Sequence, residues 1–401
     1  MTPAGPDPSA TSARSAPRRV WLVGAAGVAL LAGIATPGSA SASTHGERRV
    51  CTAASDGYAS CDAHVRTAGG GTAPDASTTY TSGYSPAQLT SAYGISGSGA
   101  PLVAVVDAYA SPTAANDLAA YRAQFGLGTA ALTQVNQTGG TALPAGDTGW
   151  GQEEALDLDM VSAACPGCSI LYVGAASSSF ADLSAAVATA KSKGAKVISN
   201  SYGGSEFNGE QNQSAFFATP GVVITVSSGD SGYGTQFPAA AAGVVAVGGT
   251  SLTLTATGTR ASETVWSGAG SGCSAYVAKP SWQHDAGCAK RTVADVAAVA
   301  DPNTGVAVYD SYGSTGGANW LVFGGTSVAA PLVGGIYARE GVPSSAPAST
   351  YAATTGLFDV TSGSNGGCVK GKSTTTAYLC TGTVGYDGPT GLGAPNGLGA
   401  F

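Results

Sequence analysis

Charge and histidine are what this 401-residue chain has least of. Lysine, arginine, aspartate and glutamate together make up 10% of it, and histidine occurs three times, at His45, His64 and His284. The formal charge is −7, which excludes the clustered cations that nucleic-acid binding needs. The shortage of histidine removes most ways of activating a nucleophile with an imidazole. No His-Gly-Thr-His-like segment occurs, and only His284 lies outside the first 82 residues. Cys165-Pro166-Gly167-Cys168 has zinc or redox spacing, but no second CxxC and no nearby histidine completes a metal site. Long apolar runs are absent apart from Val20 to Ala35, which is shorter than the roughly 18–20 residues a membrane span requires. There is no internal repeat, no phosphate-binding loop and no cofactor motif.

That one apolar run has a different meaning. Arg14, Arg18 and Arg19 precede it and Ala40-Ser41-Ala42 follows it, the layout of a secretory signal peptide over residues 1–42. The product is expected to be secreted, with no membrane attachment once the signal is removed. In an exported protein an even number of cysteines reads as disulfides. The eight here fall in four close pairs, Cys51/Cys61, Cys165/Cys168, Cys273/Cys288 and Cys368/Cys380. Nearest-neighbour pairing is one of the about 105 connectivities available.

Glycine is abundant, 60 residues, roughly twice the usual share of about 7%, so turns and close backbone packing should be frequent. Residues 43–82, rich in Ser, Thr, Ala and Gly, read as a leader or short pro-segment. The folded domain is expected over 83–401, opening with a short helix at Ser85-Pro86. Leu102-Val103-Ala104-Val105-Val106-Asp107 is a continuous apolar run suited to a strand buried on both faces. Further strands are expected at Ser169–Val173, Lys196–Ser201, Val222–Val226 and Val244–Val247. Helices are expected at Leu118–Phe125, Glu153–Ala164, Asp182–Lys193 and from Ser327 to about Arg339. This alternation gives an α/β fold with a parallel sheet covered by helices. Residues 251–320 read as loops and hairpins, and the tail from Phe358 as irregular.

Three stretches carry chemistry. In Gly324-Gly325-Thr326-Ser327-Val328-Ala329-Ala330-Pro331 a serine follows a tight turn and opens a buried helix, whose N-terminal N–H groups can face developing negative charge. A serine hydroxyl needs a base. Glu153 and Asp157 are spaced i and i+4, on one helical face, close enough to share a proton and act as base and acid. Ser228-Gly229-Asp230-Ser231-Gly232 follows a buried strand, at the end where parallel-sheet sites collect. A protonated Asp230 there could donate to an oxyanion.

With Val197-Ile198-Ser199-Asn200-Ser201-Tyr202-Gly203 and Gly385-Tyr386-Asp387-Gly388-Pro389, these motifs resemble the sedolisin family of serine-carboxyl peptidases over roughly Tyr84 to Phe401. The resemblance implies a subtilisin-like fold and hydrolysis of peptide bonds in protein or peptide substrates at acidic pH; the expected product is a secreted acid endopeptidase, and with no sign of obligate oligomerisation a monomer is expected. It makes Ser327 the nucleophile, Glu153 the base, Asp157 its orienting partner and Asp230 the oxyanion donor. Glu154 and Asp159 are expected on the helix surface or behind the pair. The resemblance also implies a Ca²⁺ site in an irregular Gly-rich C-terminal loop, from the side chains of Asp359 and Asp387 and the carbonyls of Val360, Thr383 and Gly385. Two other readings are an inactive secreted binding or scaffold protein on the same fold, and a subtilisin-like neutral peptidase using Asp107 and His284.

Overall fold

Strands and helices alternate along most of the chain in the computed structural model, which describes residues 45–314, 316–343, 345–353, 355–368 and 374–401. The expected signal peptide, residues 1–42, lies outside the described residues. The N-terminal strands are β1 (Gly46–Arg49), β2 (Ser60–Cys61) and β3 (His64–Thr67). After helix α1 (Pro86–Tyr93) come β4 (Leu102–Ala108), α2 (Ala114–Phe125), β5 (Leu132–Asn136), α3 (Thr148–Ala164), β6 (Ser169–Ala175) and α4 (Phe180–Ser192). Then follow β7 (Val197–Asn200), β8 (Tyr202–Ser205), α5 (Glu210–Ser214), β9 (Val223–Ser227), β10 (Gln236–Phe237), β11 (Val245–Leu254) and β12 (Arg260–Val265). The last part holds β13 (Gly272–Ala278), β14 (Lys290–Val293), β15 (Val296–Val299), β16 (Val306–Tyr309), β17 (Trp320–Gly324) and α6 (Thr326–Glu340).

The central sheet runs β12-β11-β9-β7-β4-β6-β5, with β15 also paired to β11; every pair is parallel except β11 with β12. Val103, Ala104, Val105 and Val106 are all 0% exposed. Successive side chains of a strand point to opposite faces, so full burial of four in a row means that both faces are covered. Helices α3 and α6 pack on each other, α6 lies along β7, β9, β11 and β15, and α4 lies on β4 and β6. Local signals set the helix starts. Ser85 caps α1 with a capping box to Gln88, and the Asp147 carboxylate accepts from Trp150 N at 3.0 Å to open α3.

Two stretches differ from expectation. Val244–Val247 was to be a short strand, but β11 has ten residues because it serves two sets of partners. Its first part pairs in parallel with β9 and β15, its second part antiparallel with β12. The 251–320 stretch holds β15, a fully buried four-residue strand of the central sheet, too short to show a period. Elsewhere the expected elements lie within two residues or are extended, as α3 is by a turn at its start.

Residues 46–67 are built into the body of the fold. β1 pairs with β3, β3 with β17, and β2 with β8. All four cysteine pairs form disulfides as nearest neighbours.

Candidate active site

Helix α3 is buried all round from Trp150 to Ala164, yet four of those residues are acids. A buried carboxyl without a hydrogen bond is costly, so the partners of each separate structural groups from reactive ones. Glu154 accepts from Ser111 N at 2.6 Å and Gln134 Nε2 at 3.2 Å, and Asp159 accepts from Tyr309 N at 3.0 Å. Both tie the helix to neighbouring backbone and neither is at the helix surface, because α3 has no solvent face. Glu153, by contrast, has two fully buried oxygens without a partner. Asp157 accepts from Ser201 Oγ at 2.7 Å through Oδ1, and its Oδ2 is unpartnered.

A third acid joins the pair. Asp107, at the carboxyl end of β4, is 0% exposed, and neither of its oxygens has a partner. Burial lifts it to about 8. Burial also pushes Glu153 well above the usual carboxylate range, with further pushes from the charges of Asp157 and Asp107, while the Ser327 hydroxyl pulls it back. Asp157 is raised by burial and then by Asp107, and is lowered by the Ser201 hydroxyl that donates to it and by the neighbouring Glu153 carboxyl. Three carboxyls this close cannot all ionise, so the cluster titrates as a unit that holds shared protons. The apolar run ending in Asp107 read as a strand end; that this end lies against α3 is visible only in the fold.

Ser327 is the second residue of α6, and Gly325, at φ 95°, turns the chain into the helix. Pro331 lacks an N–H, so the Ser327 carbonyl loses its helical donor; Ser201 Oγ lies 3.4 Å from it. Ser327 Oγ donates to Ser201 O at 3.1 Å. Ser201 thus links the nucleophile's backbone with Asp157.

Asp230, beyond the end of β9, is held by Thr326. Its Oδ1 accepts from Thr326 N at 2.8 Å and Thr326 Oγ1 at 2.7 Å, leaving Oδ2 without a hydrogen bond. Burial raises its pKa against the opposing influence of His64, Thr326 and Arg49, which favours the neutral acid. A Cβ at Gly325 would collide with both Asp230 Oδ2 and the carbonyl oxygen of Asp62. That carbonyl accepts from Ser327 N at 3.0 Å. A peptide carbonyl therefore lies beside the N–H of the serine and the free oxygen of a buried acid, which is the layout of an oxyanion site.

The N-terminal segment supplies groups that its sequence did not single out. Arg49 Nη2 donates to Asp230 O at 3.0 Å and Ser231 Oγ at 2.8 Å. His64 is 7% exposed, with Nε2 3.6 Å from Asp230 Oδ2 and its ring edge-on to Trp266. His284 lies elsewhere, lining a cavity of about 720 Å³ with Asp285, Tyr351, Tyr378 and Tyr386. The neutral-peptidase alternative therefore lacks its histidine: neither Asp107 nor the Ser327 hydroxyl is hydrogen-bonded to one.

In the C-terminal loop, Asp359 Oδ2 accepts from Gly385 N at 2.9 Å, while its Oδ1 is buried without a partner. Asp387 accepts from Thr383 N and Thr390 N, both at 3.0 Å. Burial, with a smaller push from Asp359, raises Asp387 to about 7. No group of three or more His, Cys, Asp or Glu side chains gathers as a metal cluster among the described residues. An orphaned oxygen on Asp359 beside the buried Asp387 carboxyl is nonetheless what a hard cation would relieve. With carbonyls the donor set is all oxygen, as Ca²⁺ prefers.

Residues 128–370, more than half of the chain, match the Subtilase family. Kumamolisin of Bacillus sp. (strain MN-32) is 31% identical over 321 residues, covering 70% of this chain and 56% of that protein. Sedolisin of Pseudomonas sp. (strain 101) is 32% identical over 243 residues, covering 50% of this chain and 39% of that protein. The chain thus spans about half or less of the length of these relatives. The solved structure of Pseudomonas sedolisin, a serine-carboxyl proteinase complexed with two molecules of pseudo-iodotyrostatin, superposes with a TM-score of 0.66 at 26% identity, covering 79% of this chain and 96% of that one.

Proposed function

The chain belongs to the subtilase family and, within it, to the sedolisin and kumamolisin group, and from that premise we propose that it is a secreted serine-carboxyl endopeptidase working in acid. Ser327 is the nucleophile, Glu153 the general base and then acid, Asp157 its partner, and neutral Asp230 the oxyanion donor alongside Ser327 N–H. The observation that carries this reading is Glu153. It is fully buried, both its oxygens are free of hydrogen bonds, and it lies against another carboxyl and the serine hydroxyl. The structural acids on the same helix, Glu154 and Asp159, each accept from a backbone N–H; Glu153 accepts from none.

In this mechanism Ser327 Oγ bonds to the substrate carbonyl carbon and its proton passes to Glu153. The oxygen gathers negative charge facing Ser327 N–H and the Asp230 proton. Collapse breaks the C–N bond, and Glu153 delivers the proton to the leaving nitrogen. Water then opens the ester by the same route in reverse. Asp107 lies behind the pair and keeps its charge low. In the C-terminal loop Asp359, Asp387 and the carbonyls of Val360, Thr383 and Gly385 would hold Ca²⁺, which would clamp the loop that the Cys368–Cys380 disulfide also closes. We expect a monomer acting on protein or peptide substrates, with residues 1–42 removed on export and processing within the 43–82 leader.

The test is the pH–rate profile on denatured casein of the wild type, Ser327→Ala and Glu153→Gln. Activity peaking at about pH 3–5 and lost in both variants supports the mechanism. A folded protein that is inactive at every pH would return the chain to the binding-protein reading, and an optimum near neutrality that survives Glu153→Gln would refute the carboxyl base.

A further inference from the structure

The segment that crosses the site is bound as a substrate would be. On one side of Asp62, β2 pairs antiparallel with β8, Ser60 opposite Gly203 and Cys61 opposite Tyr202. Asp62 N donates to Ser201 O at 3.1 Å, and Asp62 O accepts from Ser327 N at 3.0 Å. On the other side, His64 lies opposite Gly324, three residues before the serine. The chain therefore passes in extended form along two strand edges, with the Asp62–Ala63 bond at the nucleophile. Backbone pairing of this kind gives affinity without regard to sequence, and side-chain pockets give selectivity.

One pocket is occupied by Asp62 itself, which is 3% exposed. Asp62 Oδ2 accepts from Ser227 Oγ at 2.7 Å and from the Gln236 amide. Gln236 is wedged between two glycines: a Cβ at Gly203 or at Gly229 would run into its side chain. The pocket is short and ends in two donors, so it suits a side chain with an sp² oxygen three bonds from Cα, as in aspartic acid or asparagine. The adjoining cavity, about 250 Å³, is bordered by Arg49, Ser228 and Asp230.

Resting on the peptidase reading above, we propose that residues 59–66 are the enzyme's own first substrate, held in place for cleavage of Asp62–Ala63, and that the Ser227–Gln236 pocket makes it select aspartic acid or asparagine immediately before the cut bond. Ser327 Oγ bonds to the Asp62 carbonyl carbon, the Asp62–Ala63 C–N bond breaks, and the serine proton goes through Glu153 to the Ala63 nitrogen. Water then releases Asp62 as a new C-terminal carboxyl and restores the serine hydroxyl. The Cys51–Cys61 disulfide lies wholly before the cut, and the other three lie wholly after it, so no covalent link holds the released piece. Burial, followed by the charge of Asp230, pushes the Asp62 carboxyl well above its usual range, so acid conditions that keep it neutral also favour its seating.

The test uses the full chain, secreted and purified at neutral pH and then shifted to pH 4, with N-terminal sequencing and intact mass over time. The wild type should acquire an N-terminus at Ala63 at a rate independent of protein concentration, and Ser327→Ala should not. Asp62→Asn should still be cut, whereas Asp62→Leu should be cut at least about tenfold more slowly, from loss of the two hydrogen bonds. Peptides with Asp or Asn before the cleaved bond should exceed those with Leu, Phe or Arg by about tenfold or more in kcat/KM, and Gln236→Leu should narrow that ratio. Cleavage of casein without a new Ala63 terminus and without enrichment of Asp or Asn before the cuts overturns this proposal and leaves the peptidase reading intact. No hydrolysis of casein or any peptide at any pH removes both.

Discussion

Stability should fall, not rise, as the pH climbs from about 4 to 7, and Asp310 measures by how much. This residue follows β16 and is not one of the residues assigned to the site. Its Oδ1 accepts from Tyr312 N at 3.0 Å, and its Oδ2 is buried and unpartnered. Burial, against the Tyr312 hydrogen bond, raises it from 3.8 to about 7. A carboxyl whose folded pKa lies above its unfolded one gives stability that is complete below the unfolded value and lost as the pH passes up through the folded value. The shift of about three pH units corresponds to about 4 kcal/mol, at 1.36 kcal/mol per unit, lost between roughly pH 4 and 7. Asn in its place keeps the acceptor for Tyr312 N and cannot ionise. In a Ser327→Ala background, which prevents self-digestion, urea unfolding at pH 4, 5.5, 7 and 8 should give a shallower pH dependence for Asp310→Asn. The two proteins should be about equally stable at pH 4, with the asparagine variant ahead by up to about 4 kcal/mol at pH 8. Parallel curves, or an Asp310→Asn protein that is the weaker at pH 8, would refute the reasoning.

Other perturbations read the site directly. Asp230→Asn keeps a donor at the oxyanion and should retain most activity while extending it to higher pH, because the neutral acid is lost as the pH rises through its pKa and the amide is not; Asp230→Ala should lower kcat by roughly 10²–10³. Asp107→Asn takes one acid out of the proton-sharing cluster and ends its push on Glu153 and Asp157, so the cluster's charge is left to the pair and the acidic limb of the kcat/KM profile should move to lower pH; an unmoved limb would detach Asp107 from the pair. Gly325→Ala forces a residue with a side chain into a glycine-only conformation and sets its Cβ against Asp230 Oδ2 and the Asp62 carbonyl, and should abolish casein hydrolysis at a stability cost of at least about 1–3 kcal/mol, measured by denaturant unfolding. If Asp359 and Asp387 hold Ca²⁺, chelation should lower the thermal midpoint of the wild type and leave Asp359→Asn unchanged.

Some of this site is open to sequence reading and some is closed to it, for physical reasons. The pair Glu153 and Asp157 is legible because helical spacing alone brings i and i+4 together, and Ser327 because Gly-Gly-Thr before an apolar helix is a local signal. Asp107 is not, because its place depends on how α3 lies across β4, which no local pattern states. Asp62 and His64 are hidden for another reason. They sit in a stretch with no period, and their position is fixed by backbone pairing to β8 and β17, which almost any residue can make. The short strand β15 is missed likewise, since four buried residues carry no periodicity.

The placement of acids argues for where this protein works. Few residues are charged, yet Asp62, Asp107, Glu153, Glu154, Asp157, Asp159, Asp230, Glu263 and Asp310 are all buried, and burial raises every one of them. At neutral pH such an interior is under strain from desolvated charge. As the pH falls these groups take up protons, and each that does so becomes a hydrogen-bond donor as well as an acceptor, while the Glu153–Asp157–Asp107 cluster shares its protons and keeps the charge that lets Glu153 act as a base. The change that relieves the interior is the one that gives Asp230 a proton to offer an oxyanion and lets Asp62 rest uncharged against Ser227 and Gln236. Folding stability and catalytic competence are thus tied to one condition, so a substitution that makes the interior tolerant of neutral pH without touching the site, such as Asp310→Asn, should stabilise the protein there without making it a neutral peptidase.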